Sequence, residues 1–519
     1  MDDSAFLVSF RVSLLTFSLK RNKVNMTDIR KNDTLELKIE SIAFGGKGIA
    51  RKDNFVIFVR NALPEQRVKA LIIKKKSGFA EAIITEVLQS SPDEIPATCP
   101  YFGDCGGCRF QNLSYPAQLA MKTAQVRELY AHLAGMPDIP ILPALPAPEI
   151  YAYRNKMDFS TGVSRWMLKE NDPGTPRNFA IGLHAPGRFD KILDVEACLL
   201  QDEECNALLR LVRDWAKKEK IPLNDQRTYR GFLRNVIIRK GKHSGEMMLN
   251  LVTRHENTNM LKPLVQKVLA AFPQITSIVN NITDSKGDHS VGEREILLHG
   301  QAVIHDSLGG KNYEIAANAF FQTNTAGAEQ LYRVVGDFAA VSETDVVWDF
   351  YSGTGSIALY LADTVKKVYG FELVEDAVNN AKRNALRNGV KNCAFFEADL
   401  DRFLQRNPEL IAGLEKPDLA IVDPPRSGLN PKFLQQLIAL RPPRIVYVSC
   451  NPATQARDIV QLSEAGYSAK KIRPVDMFPT PRTLKRWRCL YRKIESLHFE
   501  SAPRRSRGIF SIVKKCNNA

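Results

Sequence analysis

The chain has 519 residues, 44% of them hydrophobic and 25% charged, with a formal net charge of +15. The length accommodates about two to four domains with real cores, and the composition is that of a globular protein. No stretch reaches the roughly 18 uninterrupted apolar residues of a membrane span. The charge points to a polyanionic partner, but it is unevenly placed. Residues 480–519 hold eleven Lys or Arg against only Glu495 and Glu500, so the rest of the chain is only mildly basic.

At the start, the apolar run Phe6 to Leu15 is broken by Arg11, and Asp2 and Asp3 stand where a signal peptide is basic. Secretion is not expected, and the cytoplasm is the predicted location. Residues 1–25 read as an over-extended start or a frayed tail before Met26.

Residues 26–90 read as a small β-barrel of about five short strands. Leu35 to Ile39 alternates, Gly45-Gly46-Lys47-Gly48 is a turn, and Phe55 to Val59 is a buried run. Val68 to Ile73 and Ala80 to Ile84 continue the pattern around Lys74-Lys75-Lys76-Ser77-Gly78. Barrels of this kind often bind RNA; a solvated basic hairpin satisfies the same composition.

Residues 91–315 read as an α+β central domain, with strands such as Val236 to Arg239 and Met247 to Val252. The nine cysteines of this large chain argue against a disulfide framework. Cys99, Cys105 and Cys108 lie within ten residues, and Cys198 follows a long gap. That spacing suits a four-thiolate cluster, with a four-cysteine zinc site as the rival. Cys205, Cys393, Cys489 and Cys516 read as core or incidental thiols. The segment Tyr153-Arg154-Asn155-Lys156 stands out without a role of its own.

From about residue 316, strands alternate with helices in the βαβ manner: Val346 to Phe350, Val368 to Glu372, Ala394 to Glu397, Leu419 to Asp423 and Ile445 to Ser449. Asp349-Phe350-Tyr351-Ser352-Gly353-Thr354-Gly355 is a strand ending in a turn that lets a nucleotide cofactor approach the backbone. A generic doubly wound fold is the bland alternative. NAD is disfavoured, because Ser356-Ile357-Ala358-Leu359 lacks the third glycine. Glu372, at the end of the next strand, suits a ribose hydroxyl pair, and Asp399 suits the base edge. Asp423-Pro424-Pro425-Arg426 closes the fourth strand, its prolines fixing the backbone that carries Asp423. Methyltransferases acting on exocyclic nitrogens usually follow such an Asp-Pro-Pro with an aromatic residue, where this chain has Arg426. Cys450, in Ser449-Cys450-Asn451-Pro452, stands at the carboxyl end of the fifth strand, where open α/β sheets bind ligands. A buried structural cysteine is the alternative there.

Three runs, Asp349 to Gly355, Asp423 to Gly428 and Ser449 to Thr454, resemble the RNA (uracil-5-)-methyltransferase family, and within it the RlmD/RumA-like branch acting on 23S rRNA. Gln322, in Phe320-Phe321-Gln322-Thr323-Asn324, matches a cofactor-contacting position of that family. The resemblance runs from about Met26 to Pro479. It implies a TRAM (OB-like) barrel, an iron–sulfur central domain and a Rossmann-like catalytic domain over residues 316–479. It also implies that Gln322, Tyr351, Ser356, Glu372, Asp399 and Asp423 bind S-adenosylmethionine. Cys99, Cys105, Cys108 and Cys198 would hold a [4Fe-4S] cluster in a structural role.

The chemistry accounts for a cysteine. Carbon-5 of uracil is a poor nucleophile toward a sulfonium methyl. Addition of the Cys450 thiolate at carbon-6 creates an enolate with electron density at carbon-5, which takes the methyl group. A base then removes the carbon-5 proton so that the thiolate leaves. The target base must also leave its stack, which favours single-stranded loops or flipped nucleotides.

One motif is broken. The family carries its proton-abstracting Glu in a Phe-Pro-His-Thr-x-His-x-Glu run. Here Val475-Asp476-Met477-Phe478-Pro479 fits, but Thr480-Pro481-Arg482-Thr483-Leu484-Lys485-Arg486 follows, and the His pair and Glu are absent. Glu495 and Glu500 have the wrong context to substitute. The genetic code accounts for the difference. Pro-His-Thr-Pro-His-Ile-Glu-Thr can be written CCC CAC ACC CCG CAC ATT GAA ACG G. Loss of one C from the first run gives CCC ACA CCC CGC ACA TTG AAA CGG, which encodes Pro479 to Arg486 as found. Residues 480–519 therefore read as an out-of-frame basic tail; a natural basic extension that contacts RNA is the alternative. The chain as written is expected to lack the elimination base and the final strand of the sheet, and either to fold poorly or to form the Cys450–RNA adduct but release product slowly.

The expectation is an S-adenosylmethionine-dependent methyltransferase of a 23S rRNA uridine, monomeric, with a tRNA uridine as the alternative substrate. An RNA-binding protein without catalysis is the alternative of a different class.

Overall fold

A computed structural model describes residues 29–286 and 292–480 and two short strands beyond them, Arg488–Tyr491 and Ile509–Ser511. Residues 1–25 lie outside the described residues, as do Glu495, Glu500 and Cys516.

The amino-terminal sheet has six strands rather than about five: β1 (Thr34–Lys38), β2 (Ser41–Ile42), β3 (Gly48–Lys52), β4 (Phe55–Arg60), β5 (Arg67–Lys75) and β6 (Phe79–Gln89), in the order β1-β5-β6-β4-β3-β2. The two-residue β2 is too short for a periodicity to announce it. In β5, Val68, Ala70 and Ile72 are fully buried while Arg67 and Lys69 face water, the period of two that a one-sided sheet demands. Asp53 and Asn54 both take positive φ between β3 and β4, which matches the twist of a tight hairpin.

Helix α1 (Tyr115–Leu133) comes next, with Pro116 in its first turn. Although it precedes the central sheet in sequence, it buries Val126 and Tyr130 in the same apolar cluster as Trp348, Phe350 and Ile459 of the carboxyl-terminal region. The Tyr130 hydroxyl donates to Gln455 at 2.8 Å.

The central region contains β7 (Lys156–Gly162), β8 (Arg165–Trp166), β9 (Ala180–His184), β10 (Ile192–Asp194), α2 (Glu203–Lys218), β11 (Leu233–Lys240), β12 (Met247–Thr253), α3 (Thr258–Ala271), β13 (Ile275–Ile282) and β14 (Arg294–Gly300). Its eight strands run β14-β13-β12-β11-β7-β9-β10-β8. Helices α2 and α3 cover one face through Leu208, Leu209, Val212, Trp215, Leu261 and Leu264. A separate hairpin, β15 (Val303–Leu308) with β16 (Lys311–Ala316), leads into α4 (Thr325–Ala339).

The remaining elements are β17 (Val346–Phe350), α5 (Ser356–Leu361), β18 (Lys367–Glu372), α6 (Glu375–Arg387), β19 (Cys393–Glu397), α7 (Phe403–Arg406), α8 (Pro408–Gly413), β20 (Leu419–Val422), α9 (Pro431–Leu440), β21 (Arg444–Tyr447), α10 (Pro452–Glu464), β22 (Ser468–Ala469), β23 (Ile472–Val475), β24 (Arg488–Tyr491) and β25 (Ile509–Ser511). The order β19-β18-β17-β20-β21-β25-β22 reverses direction at β17 and β20. Their carboxyl ends therefore flank the crevice where doubly wound sheets take ligands. The strands β17 and β20 are buried throughout, as parallel strands covered on both faces must be.

The sheet does not lack its last strand. Ile509–Ser511 lies between β21 and β22, parallel to both. A gap there would leave two rows of backbone donors and acceptors unpaired, and a short extended segment satisfies them. Among the described residues no helix is long and apolar enough to cross a membrane.

Candidate functional site

The Gly-rich turn begins where β17 ends. Tyr351 takes φ +61°, a strained conformation for a residue with a side chain. A Cβ on Gly355 would sit 2.8 Å from the Phe395 ring, so only glycine fits between turn and sheet. Glu372, at the end of β18, accepts three backbone N–H bonds: Gly353 at 2.9 Å on one oxygen, Leu373 at 2.8 Å and Val374 at 3.0 Å on the other. This carboxylate fixes the turn and remains half-exposed beside it. Ser356 opens α5, buried, with its hydroxyl 2.6 Å from that of Tyr332. Burial pushes the half-buried Tyr351 phenol well above its ordinary range, and the nearby carboxylates of Asp401 and Asp458 add to the effect.

Asp399 stands two residues beyond β19. It caps the next turn by accepting the Asp401 N–H at 3.1 Å and pairs with Arg406 at 3.2 Å. Gln322 is 2% exposed in the segment between β16 and α4, and its carbonyl accepts from the Asn155 amide at 2.7 Å.

Asp423 follows β20 directly and is buried; its N–H donates to the Phe350 carbonyl at 3.3 Å. Cys450 lies three residues past β21 and is 2% exposed. The two loops are tied together. Val448 N–H donates to Val422 O at 2.8 Å, and the Arg426 carbonyl accepts from Asn451 at 3.2 Å and Thr454 at 3.4 Å. Asn451 also caps α10 through the Ala453 N–H. Gly428 closes the Asp-Pro-Pro loop at φ +82°, where a Cβ would lie 2.9 Å from Thr454 and 2.6 Å from Asp458. The thiol and the carboxylate thus stand at the carboxyl ends of neighbouring strands, on a rigid double loop.

Cys99, Cys105, Cys108 and Cys198 are half-buried. Cys198 lies within electrostatic reach of Cys108 and Cys105, and Cys99 within reach of Cys108. Burial first, and these like charges after it, push the Cys198 thiol up to about 12. Among the described residues no three Cys, His, Asp or Glu groups are arranged as a ready ligand set. Cys205 is buried in the α2 core, and Cys393 is half-buried on β19.

The segment before the broken motif is held at Asp476, Met477, Pro479 and Thr480. Asp476 accepts from Lys122 at 2.8 Å and Tyr115 at 3.0 Å, and Met477 O accepts from Asn324 at 2.7 Å. Pro479 O accepts from Tyr153 at 3.3 Å, and Thr480 O from the Arg109 N–H at 2.8 Å. The sequence reading assigned none of these holders a role. Only the segment Tyr153-Arg154-Asn155-Lys156 is singled out by the sequence, without a role. The residues of the expected His-and-Glu motif, 481–486, lie outside the described residues.

Residues 243–486 match the model of the "tRNA (Uracil-5-)-methyltransferase" family, and residues 30–85 match the TRAM domain. An RNA methyltransferase of Chlorobaculum tepidum is 38% identical over 470 residues, 89% of this chain and 97% of that protein. One of Halalkalibacterium halodurans is 36% identical over 451 residues, 87% and 95% of the two chains. Among solved structures, the Pyrococcus abyssi tRNA (uracil-54, C5)-methyltransferase in complex with S-adenosyl-L-homocysteine is similar at a TM-score of 0.67 and 27% identity. That likeness covers 88% of this chain and 98% of the other.

Proposed function

From the premise that the chain belongs to the RNA (uracil-5-)-methyltransferase family, an S-adenosylmethionine-dependent enzyme family, we propose that it methylates carbon-5 of a uridine in 23S rRNA through a covalent bond from Cys450 to carbon-6. The observation that carries this reading is the joined pair of loops holding Cys450 beside Asp423 at the carboxyl ends of β21 and β20.

S-adenosylmethionine supplies an electrophilic methyl group. Gln322, Tyr351, Ser356, Glu372, Asp399 and Asp423 line its proposed site, with Glu372 facing the ribose and Asp399 the base edge. Cys450 would add to carbon-6, carbon-5 would take the methyl group as its bond to the sulfonium sulfur breaks and leaves S-adenosylhomocysteine, and loss of the carbon-5 proton to a base would let the bond from Cys450 Sγ to carbon-6 break. The TRAM barrel and central sheet present the RNA.

Cys99, Cys105, Cys108 and Cys198 form the proposed [4Fe-4S] site. Four thiols with a C-x5-C-x2-C spacing are the donor set that such a cluster takes. Its role is to staple the loop at residues 99–108 to the segment around Cys198.

The proton-abstracting Glu has no counterpart after Pro479, and a one-base deletion in a C run is the proposed cause. Resequencing the gene across the codons for Phe478 to Arg486 tests it: an extra C restores His and Glu, whereas its absence makes the basic tail genuine.

The chemistry is tested by incubating the full chain with 23S rRNA and labelled cosubstrate, and looking for a denaturation-resistant protein–RNA adduct. The adduct is expected with the parent and absent from Cys450→Ala. Tight RNA binding with neither adduct nor methylation in the parent favours the RNA-binding reading. A second substrate, a tRNA uridine, is favoured by the likeness to the Pyrococcus abyssi enzyme; adduct formation on tRNA transcripts and not on rRNA would select it.

A further inference from the structure

Lys156 opens β7 and pairs in register with Arg239 on β11, so both side chains project from the same face of the central sheet. The opposite face carries Met157, Phe159, Val236 and Ile238 into the core under α2 and α3. The Lys156 face therefore looks away from that core, toward the segment preceding α4. Arg239 is 3% exposed. One of its terminal nitrogens, Nη2, donates to the Ala319 carbonyl at 2.9 Å, while Nη1 is buried with no hydrogen-bond partner.

Among the described residues neither cation has an ion pair. The charged groups that act on Lys156 are Arg239, Asp158 and Arg154. Asp158 accepts from the Asn235 amide at 2.9 Å, and Arg154 donates through Nε to the Lys156 carbonyl, also at 2.9 Å. Three cations thus stand against one carboxylate in a largely desolvated place. Burial, reinforced by Arg239, brings the Lys156 ammonium down to about 8. An uncompensated buried charge costs several kcal/mol or more, and a bound anion relieves it.

The location is adjacent to the proposed active site. Asn155 donates its N–H to Thr323 O at 2.9 Å and its amide to Gln322 O at 2.7 Å, so Lys156 and Ala319 flank the same stitched segment. We propose that Lys156 and Arg239 form an oxyanion-binding site that grips a phosphodiester of the substrate RNA beside the uridine to be methylated. The shared chemistry is an anionic oxygen pair, and the carboxylate of the cosubstrate is its other source. The phosphodiester is favoured because both cations belong to the central sheet, outside the crevice formed by β17, β18 and β20. This inference rests on the RNA-methyltransferase reading.

The test uses the full chain, with affinity for a single-stranded uridine-containing RNA measured by anisotropy across a KCl series, and for S-adenosyl-L-homocysteine by calorimetry. Lys156→Met should weaken RNA binding about tenfold, the scale of one charged hydrogen bond, and reduce the salt slope by about one. Lys156→Arg should restore most of it, and the homocysteine compound should bind unchanged throughout. Arg239→Lys, which keeps the charge at the buried position, should lose less than Arg239→Gln. Weakened homocysteine-compound binding with unchanged RNA binding would assign the site to the cosubstrate carboxylate and overturn the phosphodiester. Unchanged affinities for both ligands in Lys156→Met would overturn the site. If the parent binds no RNA, the functional reading fails instead. Inorganic phosphate then decides the site: a rise in melting temperature seen in the parent and missing from Lys156→Met upholds it, and equal behaviour overturns it.

Discussion

Lys122 on α1 and Asp476 after β23 form an ion pair of 2.8 Å with both side chains 2% exposed, and Tyr115 adds a hydrogen bond to the same carboxylate oxygen. The pair fastens a helix that precedes the central sheet to the segment that leads to Pro479, where the broken motif begins. Parallel backbone bridges from Ile141 and Leu145 to Ile472 and Val475 run beside it.

Breaking this pair from one side leaves a buried charge without its partner. Lys122→Met is expected to cost about 3–5 kcal/mol, read as a lower denaturation midpoint in urea. The double variant Lys122→Met with Asp476→Leu should recover much of that loss, since apolar replacement of a buried pair is often neutral or better.

Glu372 holds the Gly-rich turn by accepting three N–H bonds. An amide in its place offers one acceptor oxygen and turns an NH2 group toward a donor. Glu372→Gln should therefore weaken S-adenosyl-L-homocysteine binding by about 1.5–3 kcal/mol, measured by calorimetry, while Cys450 adduct formation at saturating cosubstrate is largely retained. Unchanged affinity would remove Glu372 from the cosubstrate site.

The proposed four-cysteine site gives a compositional prediction. Protein isolated without oxygen should contain iron and inorganic sulfide in equal amounts, and Cys99→Ser should lose both. Zinc without sulfide would assign the rival four-thiolate site. Because the Arg109 N–H donates to Thr480 O at 2.8 Å, metal loss should also increase proteolytic cleavage near residues 476–480.

Lys156 sets a pH dependence. Its ammonium is pushed by burial from 10.5 to about 8 in the folded protein. Between those values the unfolded chain binds the proton and the folded one does not, so stability rises with pH across that window. The contribution is complete above about 10.5 and is lost as pH falls through about 8. Lys156→Met should flatten that rise in urea titrations. Inorganic phosphate should also flatten it in the parent, by holding the ammonium charged.

What the sequence by itself determined is local. The buried runs Val346 to Phe350, Val368 to Glu372 and Leu419 to Val422 lie within a residue or two of β17, β18 and β20, because apolar periodicity and turn chemistry act over a few residues. The Gly-rich turn, the Asp-Pro-Pro loop and Cys450 were legible for the same reason, and the family matches agree with the resemblance they carried. The tertiary structure alone decided which distant pieces meet. Lys122 finds Asp476 across 354 positions, α1 leaves its sequence neighbours for the methyltransferase sheet, and Arg239 ends buried opposite Lys156. A charge is an ordinary solvated residue in the sequence. It becomes a site only when the fold removes its water without supplying a counterion, and that depends on packing between strands and loops that no local pattern encodes.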